Sequence, residues 1–307
     1  ISESILGNSW FNCAKSLAIT ILSFLKFIFL WLLVTQRKGN IEWLLFFTCI
    51  TTILFKDSGR IEEVGIIDLE NMGFMKFYLA PLVSDFIVLA TLYFNKRTNY
   101  LLFIIGGIVL VSMGARSSGL ILLLTGLIAI FILSLKEINK FILITRGIYL
   151  TLSCYVLYVC YVNAVLSGII TTGNSGQTKL QKNPYNPVEA LILGRAETVG
   201  STSAFFDSPW IGWGLMAHDK GYKYRKIISR RIGETYDPKN NFTTIPGHSV
   251  IIGYGVNNGI FALLFSSLII FSFCIKGGKS INKNNPYIYL VIFSIIQLIW
   301  NGLFSPI

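Results

Sequence analysis

The hydrophobic positions of this chain fall in long unbroken runs rather than in alternation with polar ones. Bounded by their polar flanks, the runs lie at 12–34, 41–55, 77–94, 100–113, 118–135, 147–168, 249–275 and 286–303. A hydrocarbon layer about 30 Å thick takes roughly 20 apolar residues as helix. Backbone in lipid has to bond within itself, as a helix or a closed barrel, and runs without period-two alternation predict helices. The expected fold class is all-α, a polytopic transmembrane helix bundle. As a single helix, 100–135 would measure about 54 Å, too long for one crossing, so it is expected to be a hairpin turning between Gly114 and Gly119.

The spacing of the runs divides the chain into transmembrane helices with short loops at 1–168, one large loop at 169–248, and C-terminal transmembrane helices at 249–307. Most helix connections are two to eight residues long, and a far longer one is usually functional or disordered. This loop is expected to be ordered. It carries Tyr185, Phe205, Phe206, Trp210, Trp213, Tyr222 and Tyr224, a turn from Pro209 to Gly214, and an amphipathic stretch from Val188 to Phe206. The chain starts at Ile1 and stops at Ile307 just after an apolar run, so it reads as a piece of a longer one and the span count as a minimum.

Composition agrees with a bilayer: 53% of the 307 residues are hydrophobic, and the mean hydropathy is +0.63. The net charge of +11 does not point to nucleic acid, because there is no basic soluble domain. The cations sit instead in alternate loops, at Arg37 and Lys38, at Lys96 and Arg97, from Lys136 through Lys140 to Arg146, and from Lys276 through Lys279 to Lys283. By the positive-inside rule these loops are cytoplasmic. The acidic loop 56–76, the hairpin tip with Arg116 and the loop 169–248 then face the opposite, outer side. The five cysteines (Cys13, Cys49, Cys154, Cys160, Cys274) lie in or beside apolar runs with no C-x-x-C spacing, and read as packing residues.

Chemistry has few candidates. Both histidines, His218 and His248, belong to the large loop, and His248 follows Pro246 and Gly247 at the outer mouth of a span. An imidazole there suits a general base, or an interfacial side chain among headgroups. Arg116 interrupts the apolar hairpin, where a charge needs a partner such as phosphate unless it snorkels to the interface. Arg195 lies on the amphipathic stretch and either grips phosphate oxygens or pairs with Glu189 or Glu197. The cluster Lys220, Lys223, Arg225, Lys226, Arg230 and Arg231 puts Lys223, Lys226 and Arg230 on one face of a helix. That face either steers an anionic lipid-linked substrate or lies among headgroups. Lys26 and Asp85 fall near the middle of their spans and are expected to form a structural intramembrane pair, a proton relay being the other reading.

No P-loop, H-E-x-x-H, G-x-S-x-G or close acidic cluster in the large loop occurs, so no metal and no cofactor is expected. Several elements occur in a telling order: an arginine at a hairpin tip (Gly114 to Ser118, with Arg116), a long outer loop opening with Gly194 and Arg195, the run Phe206 to Gly214 (FDSPWIGWG), and His248 before an apolar span containing Gly253, Gly255 and Gly259. In this order the chain resembles the O-antigen polymerase (Wzy-type) and O-antigen ligase superfamily of membrane glycosyltransferases, over roughly residues 100 to 275.

The resemblance implies a GT-C-like bundle with a large ordered periplasmic loop. It also implies a metal-independent enzyme of lipopolysaccharide or capsule biosynthesis in the bacterial inner membrane. A polymerase would transfer oligosaccharide from an undecaprenyl-pyrophosphate donor to a sugar hydroxyl of a second lipid-linked unit; a ligase would transfer polymer to lipid A core. By the same resemblance, Arg116 and Arg195 would bind the donor pyrophosphate, joined by Lys223 and Arg225, and His248 would orient or deprotonate the hydroxyl. Expected partners are the lipid-linked oligosaccharide, membrane lipid, a chain-length regulator and a flippase. A different class, a flippase or transporter for lipid-linked oligosaccharide, would place its site near the midplane, where only Lys26 and Asp85 point.

Overall fold

In a computed structural model the apolar runs from residue 40 onward are helical where described, and no strand occurs among the described residues, which are 14, 17, 18, 21, 25, 40–54, 79–94, 98–134, 140–169, 184–214, 217–232, 244–282 and 284–304. The helices are α1 (Asn40–Leu54), α2 (Ala80–Tyr93), α3 (Asn99–Ser112), α4 (Arg116–Ser134), α5 (Lys140–Leu166), α6 (Pro187–Gly194), α7 (Ala196–Asp207), α8 (Lys223–Ile232), α9 (Val250–Asn258), α10 (Ile260–Ser280) and α11 (Ile288–Phe304). Three windows are long and apolar enough to cross a membrane: Arg116–Ser134, Gly147–Leu166 and Ile260–Ser280. At 19 to 21 residues each measures about 30 Å, the depth of a hydrocarbon layer. On α10 the side chains of Phe261, Leu264, Phe265, Leu268 and Phe271 are all more than half exposed. Such a continuous apolar face is foreign to water and natural against lipid.

The chain separates into two compact units, one holding Leu191–Cys274 and Leu298–Ile307, the other Gly39–Ala190 and Ile275–Gln297. In the second, α3 and α4 form the expected hairpin, but its turn is tighter than Gly114 to Gly119. Gly114 alone takes the left-handed conformation, with φ +86°, and Arg116 already begins α4. Gly119 is a packing residue: a Cβ there would stand 2.7 Å from the Gly107 carbonyl oxygen, and one on Gly107 would stand 2.8 Å from that of Gly119. Missing side chains let the two backbones touch, the small-residue packing found where lipid offers no hydrophobic drive. Phe103 stacks on Tyr289 with ring centroids 5.7 Å apart, and the buried Asn99 donates from Nδ2 to the Thr91 carbonyl at 2.8 Å, tying α3 to α2.

Two expected boundaries are corrected. The helix expected to open near 147 begins at Lys140, so Lys140 and Arg146 belong to α5 rather than to a loop. Hydropathy marks the apolar window, whereas helical bonding continues past it. The expected span 249–275 is two helices, α9 and α10, broken at Gly259. Most of the first expected span, the loop at 56–76 and Lys26 lie outside the described residues.

Candidate functional site

Helix α7 organises the first unit. Its inner face is made of small residues, with Ala196, Gly200, Ser201 and Ala204 buried. A Cβ on Gly200 would fall 2.7 Å from Ile228 Cδ1, so glycine is what lets α8 lie close. Ser201 has no exposed surface; its hydroxyl donates to the Pro246 carbonyl at 2.8 Å and accepts the backbone N–H of His248 at 3.0 Å. The segment carrying the histidine is thereby bolted to the middle of α7.

The imidazole meets a carboxylate there. His248 Nε2 lies 2.6 Å from Glu197 Oε2, the histidine side chain being 19% exposed and the glutamate 41%. A carboxylate only accepts hydrogen bonds, so in the neutral ring Nε2 carries the proton and Nδ1 holds the free lone pair. Ser249, next in the chain, has φ +84° and ψ 132°, a region costly for a residue with a Cβ. It is held in place from both sides: Ser249 Oγ accepts the N–H of Ile252 at 3.1 Å, capping α9, and donates to the Gly302 carbonyl at 2.8 Å. The strain thus sits one residue from the imidazole and helps to aim it.

Arg195 marks a break in the expected amphipathic stretch from Val188 to Phe206. With φ −130° and ψ 39° it interrupts the helical backbone and precedes the first turn of α7. Its guanidinium lies 5.5 Å from the centre of the Trp300 ring. Burial pulls its pKa below the usual arginine range, while Glu197 works the other way. From Arg195 a cleft of about 300 Å³ runs along the outer face of α7, past Thr198, Val199, Thr202 and Phe206, with Phe304 also in its wall. The Thr198 hydroxyl in that wall is buried and has no hydrogen-bond partner, which in a native structure calls for an explanation such as a ligand or water.

The run Phe206 to Gly214 has a structural task. Trp213 donates its backbone N–H to the Val256 carbonyl at 2.7 Å, Gly214 to Asn257 at 2.9 Å, and Ile260 to Pro209 at 2.6 Å. Helix ends leave carbonyls and N–H groups without intrahelical partners; this turn satisfies the last carbonyls of α9 and the first N–H of α10. Gly212 and Gly259 have φ +77° and +82°, and a Cβ on Gly259 would overlap the Trp210 carbonyl. The Trp213 indole donates to the Ala204 carbonyl at 2.7 Å, joining the splice to α7. Ala204, Phe205, Tyr224 and Val256 form the core beneath.

The other expected residues are distributed as follows. Arg116, in the second unit, is the first residue of α4, with its guanidinium 5.8 Å from the Tyr161 ring centre. Among the described residues no carboxylate forms an ion pair with Arg116, and the Tyr161 hydroxyl is buried without a partner. Tyr158 and Tyr185 tie the end of α5 to the start of the large loop, by bonds to the Pro184 carbonyl and to Asn163 Oδ1. Lys223 stands on the outer face of α8 and pairs with Asp207 at 2.6 Å; Arg225 is half-buried beside it. Hydrogen bonds from Lys223 and Tyr224 hold the Asp207 carboxyl below its ordinary range. His218 does not join His248: it is exposed and its backbone bridges to Thr244. Asp85 is half-buried in α2, its expected partner Lys26 being outside the described residues.

Sequence reasoning weighed Glu197 only as a partner for Arg195, and it missed Ser201 and Asp219. Asp219 is buried and caps α8, accepting the N–H of Tyr224 at 3.1 Å and of Arg225 at 3.0 Å. Asp219 stands four residues before α8, away from the position next to a helix where a cap is sought in sequence, and the pairing of Glu197 with His248 left no signal either. Among the described residues no group of three or more His, Cys, Asp and Glu is placed to hold a metal ion. No protein-family model, no curated protein and no solved structure matches the chain.

Proposed function

We propose that the chain is a multi-pass glycosyltransferase of the bacterial inner membrane, GT-C-like in architecture, that polymerises lipid-linked oligosaccharide repeat units at the periplasmic face. The observation that carries this reading is one short helix that brings a cation and an acid-base pair together: α7 begins at Arg195 and holds Glu197 against His248. The donor is undecaprenyl-pyrophosphate oligosaccharide and the acceptor a sugar hydroxyl of a second lipid-linked unit. Arg195 is assigned to the pyrophosphate, whose charge grows as the glycosidic bond breaks; for Arg116 the donor role rests on the family resemblance alone.

In this reaction the acceptor oxygen attacks C1 of the donor's first sugar. The bond from C1 to the phosphate oxygen breaks, its electron pair leaving with undecaprenyl pyrophosphate. The hydroxyl proton passes to Nδ1 of His248, the basic atom because Glu197 fixes the proton on Nε2. The cleft beside α7 suits such a donor, having a guanidinium at Arg195 and apolar wall at Val199, Phe206 and Phe304.

The test is a surface-polysaccharide gel of a strain lacking the full-length gene, complemented with wild type or His248→Ala. A deletion that leaves a single repeat unit on lipid A core, with the ladder restored only by wild type, is the expected result. Bare core with lipid-linked polymer accumulating outside identifies a ligase instead. Lipid-linked repeat units trapped inside identify a flippase, and an unchanged ladder removes the proposal.

A further inference from the structure

The basic cluster of the large loop takes no part in the His248 geometry, and its setting gives it another task. Helix α8 buries Tyr224 and Ile228 and turns Lys223, Lys226, Arg230 and Arg231 outward, with Lys220 exposed just before it. The stretch from Lys220 to Ile232 holds six cations and no acidic residue. Lys223 has a carboxylate partner in Asp207; Asp219 faces inward as the cap of α8.

The neighbouring turn is apolar and open to the outside. Phe206 and Trp210 are 70% and 71% exposed, and Ile211 is exposed beside them. The Pro209 carbonyl binds the N–H of Ile260, the first residue of α10, and Phe261 is the next exposed apolar residue. The Trp210 turn is therefore level with the end of a helix long and apolar enough to cross a membrane. Tryptophan at the edge of the hydrocarbon with lysine and arginine alongside is the pattern of a membrane interface, and the bond from Lys223 to Asp207 ties the basic helix to that turn.

We infer that α8 and the Phe206–Ile211 turn form one interfacial anchor, in which Lys220, Lys223, Lys226, Arg230 and Arg231 lie on the headgroups of anionic phospholipid while Phe206, Trp210 and Ile211 enter the boundary below them. A cation near an anionic membrane strengthens attachment about five-fold, so several together hold α8 down firmly at low salt. Anchoring α8 holds α7 through the Gly200–Ile228 contact, and with it the level of Arg195 and His248 relative to the bilayer. The anchor does not depend on the glycosyltransferase reading.

The test is hydrogen–deuterium exchange of the full chain in nanodiscs of phosphatidylcholine alone or with about one third phosphatidylglycerol. Amides of 220–232 are expected to exchange several-fold more slowly in the anionic discs, and the difference to vanish at about 1 M salt, where the screening length is near 3 Å. The variant with Lys220, Lys223, Lys226 and Arg230 changed to Gln keeps Tyr224 and Ile228 and is expected to exchange alike in both lipids. Equal exchange of wild type in the two lipids overturns the inference. So does slowing by soluble heparin without any response to lipid charge, which would make α8 a site for a soluble polyanion.

Discussion

His248 Nε2 and Glu197 Oε2 stand 2.6 Å apart, although the residues belong to separate segments, brought together by the Ser201 hydroxyl with its bonds to Pro246 and His248 and by the core that Ala204 and Phe205 share with Val256. The relation fixes which imidazole nitrogen is basic, and it gives Glu197 a role that its place in the chain does not reveal.

Replacing Glu197 with Leu removes the acceptor while leaving the Ser201 anchor in place. The expected result is a fall in transfer rate on the order of 10²-fold or more, the usual reach of a general base, with an unchanged melting temperature because the carboxylate is 41% exposed. Nitrogen NMR of histidine-labelled protein should show the neutral His248 ring shifting from the Nε2–H tautomer to a mixture. Two histidines in the chain make the assignment simple. An unaltered tautomer with full activity would remove Glu197 from the site.

The splice between α9 and α10 is tested at Gly259. Alanine there has to take φ +82° and carry a Cβ into the Trp210 carbonyl, so Gly259→Ala should destabilise by about 2 kcal/mol or more, from the backbone strain and the clash together. Gly278→Ala is the control. It lies in α10 with nothing within 4 Å of the added Cβ, and should be neutral or stabilise by up to about 1 kcal/mol. Thermal unfolding in detergent, followed by circular dichroism, separates the two; equal shifts would mean that the splice carries no stability.

These positions show what a sequence can disclose. Apolar length and the run Gly114 to Gly119 announced the α3–α4 hairpin because each signal is local. The break at Gly259 was also local, in Asn257, Asn258 and Gly259, but it was hidden inside an apolar run that hydropathy reads as continuous. The kink at Arg195 was masked by an amphipathic pattern that passes through it. Glu197 with His248, and Thr198 in the cleft wall, depend on how α7 packs, and no periodicity within α7 encodes what lies on its far side. The Phe206–Gly214 motif was legible as a motif, whereas its work as a cap for two helix ends required the backbone.

Asp219 accepts two N–H groups at the start of α8. Asp219→Ala should cost about 1 kcal/mol, the common value for a lost cap, and should speed amide exchange first at Tyr224 and Arg225. Asp219→Asn keeps an accepting oxygen and should recover most of the loss. Equal exchange in wild type and the alanine variant would show the cap to be idle.

The Asp207 cluster sets a pH window. Its carboxyl is depressed by hydrogen bonds from Lys223 and Tyr224, so its contribution is complete above the ordinary carboxylate value near 3.9 and is lost as pH falls through the lower folded value. Tyr224 is raised by burial and by its bond to Asp207; its contribution is complete below the ordinary tyrosine value near 10 and fades as pH rises toward the higher folded value. Stability from this pair should therefore be flat between about pH 4 and pH 10 and fall on both sides. Asp207→Asn should flatten the acid limb and shrink the alkaline one in thermal melts across pH. Because Asp207 is largely open to water, the amplitude should be small and weaken with salt.

Arg116 and Arg195 make the last expectation, and they should behave differently. Arg195 is packed against Trp300 at a helix junction, so Arg195→Ala removes a cation together with a stacking partner and should lower both activity and stability. Arg116 begins α4, where a positive charge is opposed by the helix dipole and no carboxylate among the described residues pairs with it. Removing it relieves that opposition but also loses the contact with the Tyr161 ring, so the two effects should largely offset and stability should change by less than about 1 kcal/mol. Yet if Arg116 receives the donor pyrophosphate, Arg116→Ala should cost about 3 to 4 kcal/mol of transition-state stabilisation, as the loss of one electrostatic donor typically does, and so abolish visible polymer. Arg116→Lys keeps the charge but not the fork that binds two phosphate oxygens, and should give a weak ladder. The measurement is a polysaccharide gel beside a thermal melt and an immunoblot for each variant. Wild-type chain lengths in an Arg116→Ala strain with normal protein levels would show that the tip of the hairpin does not touch the donor.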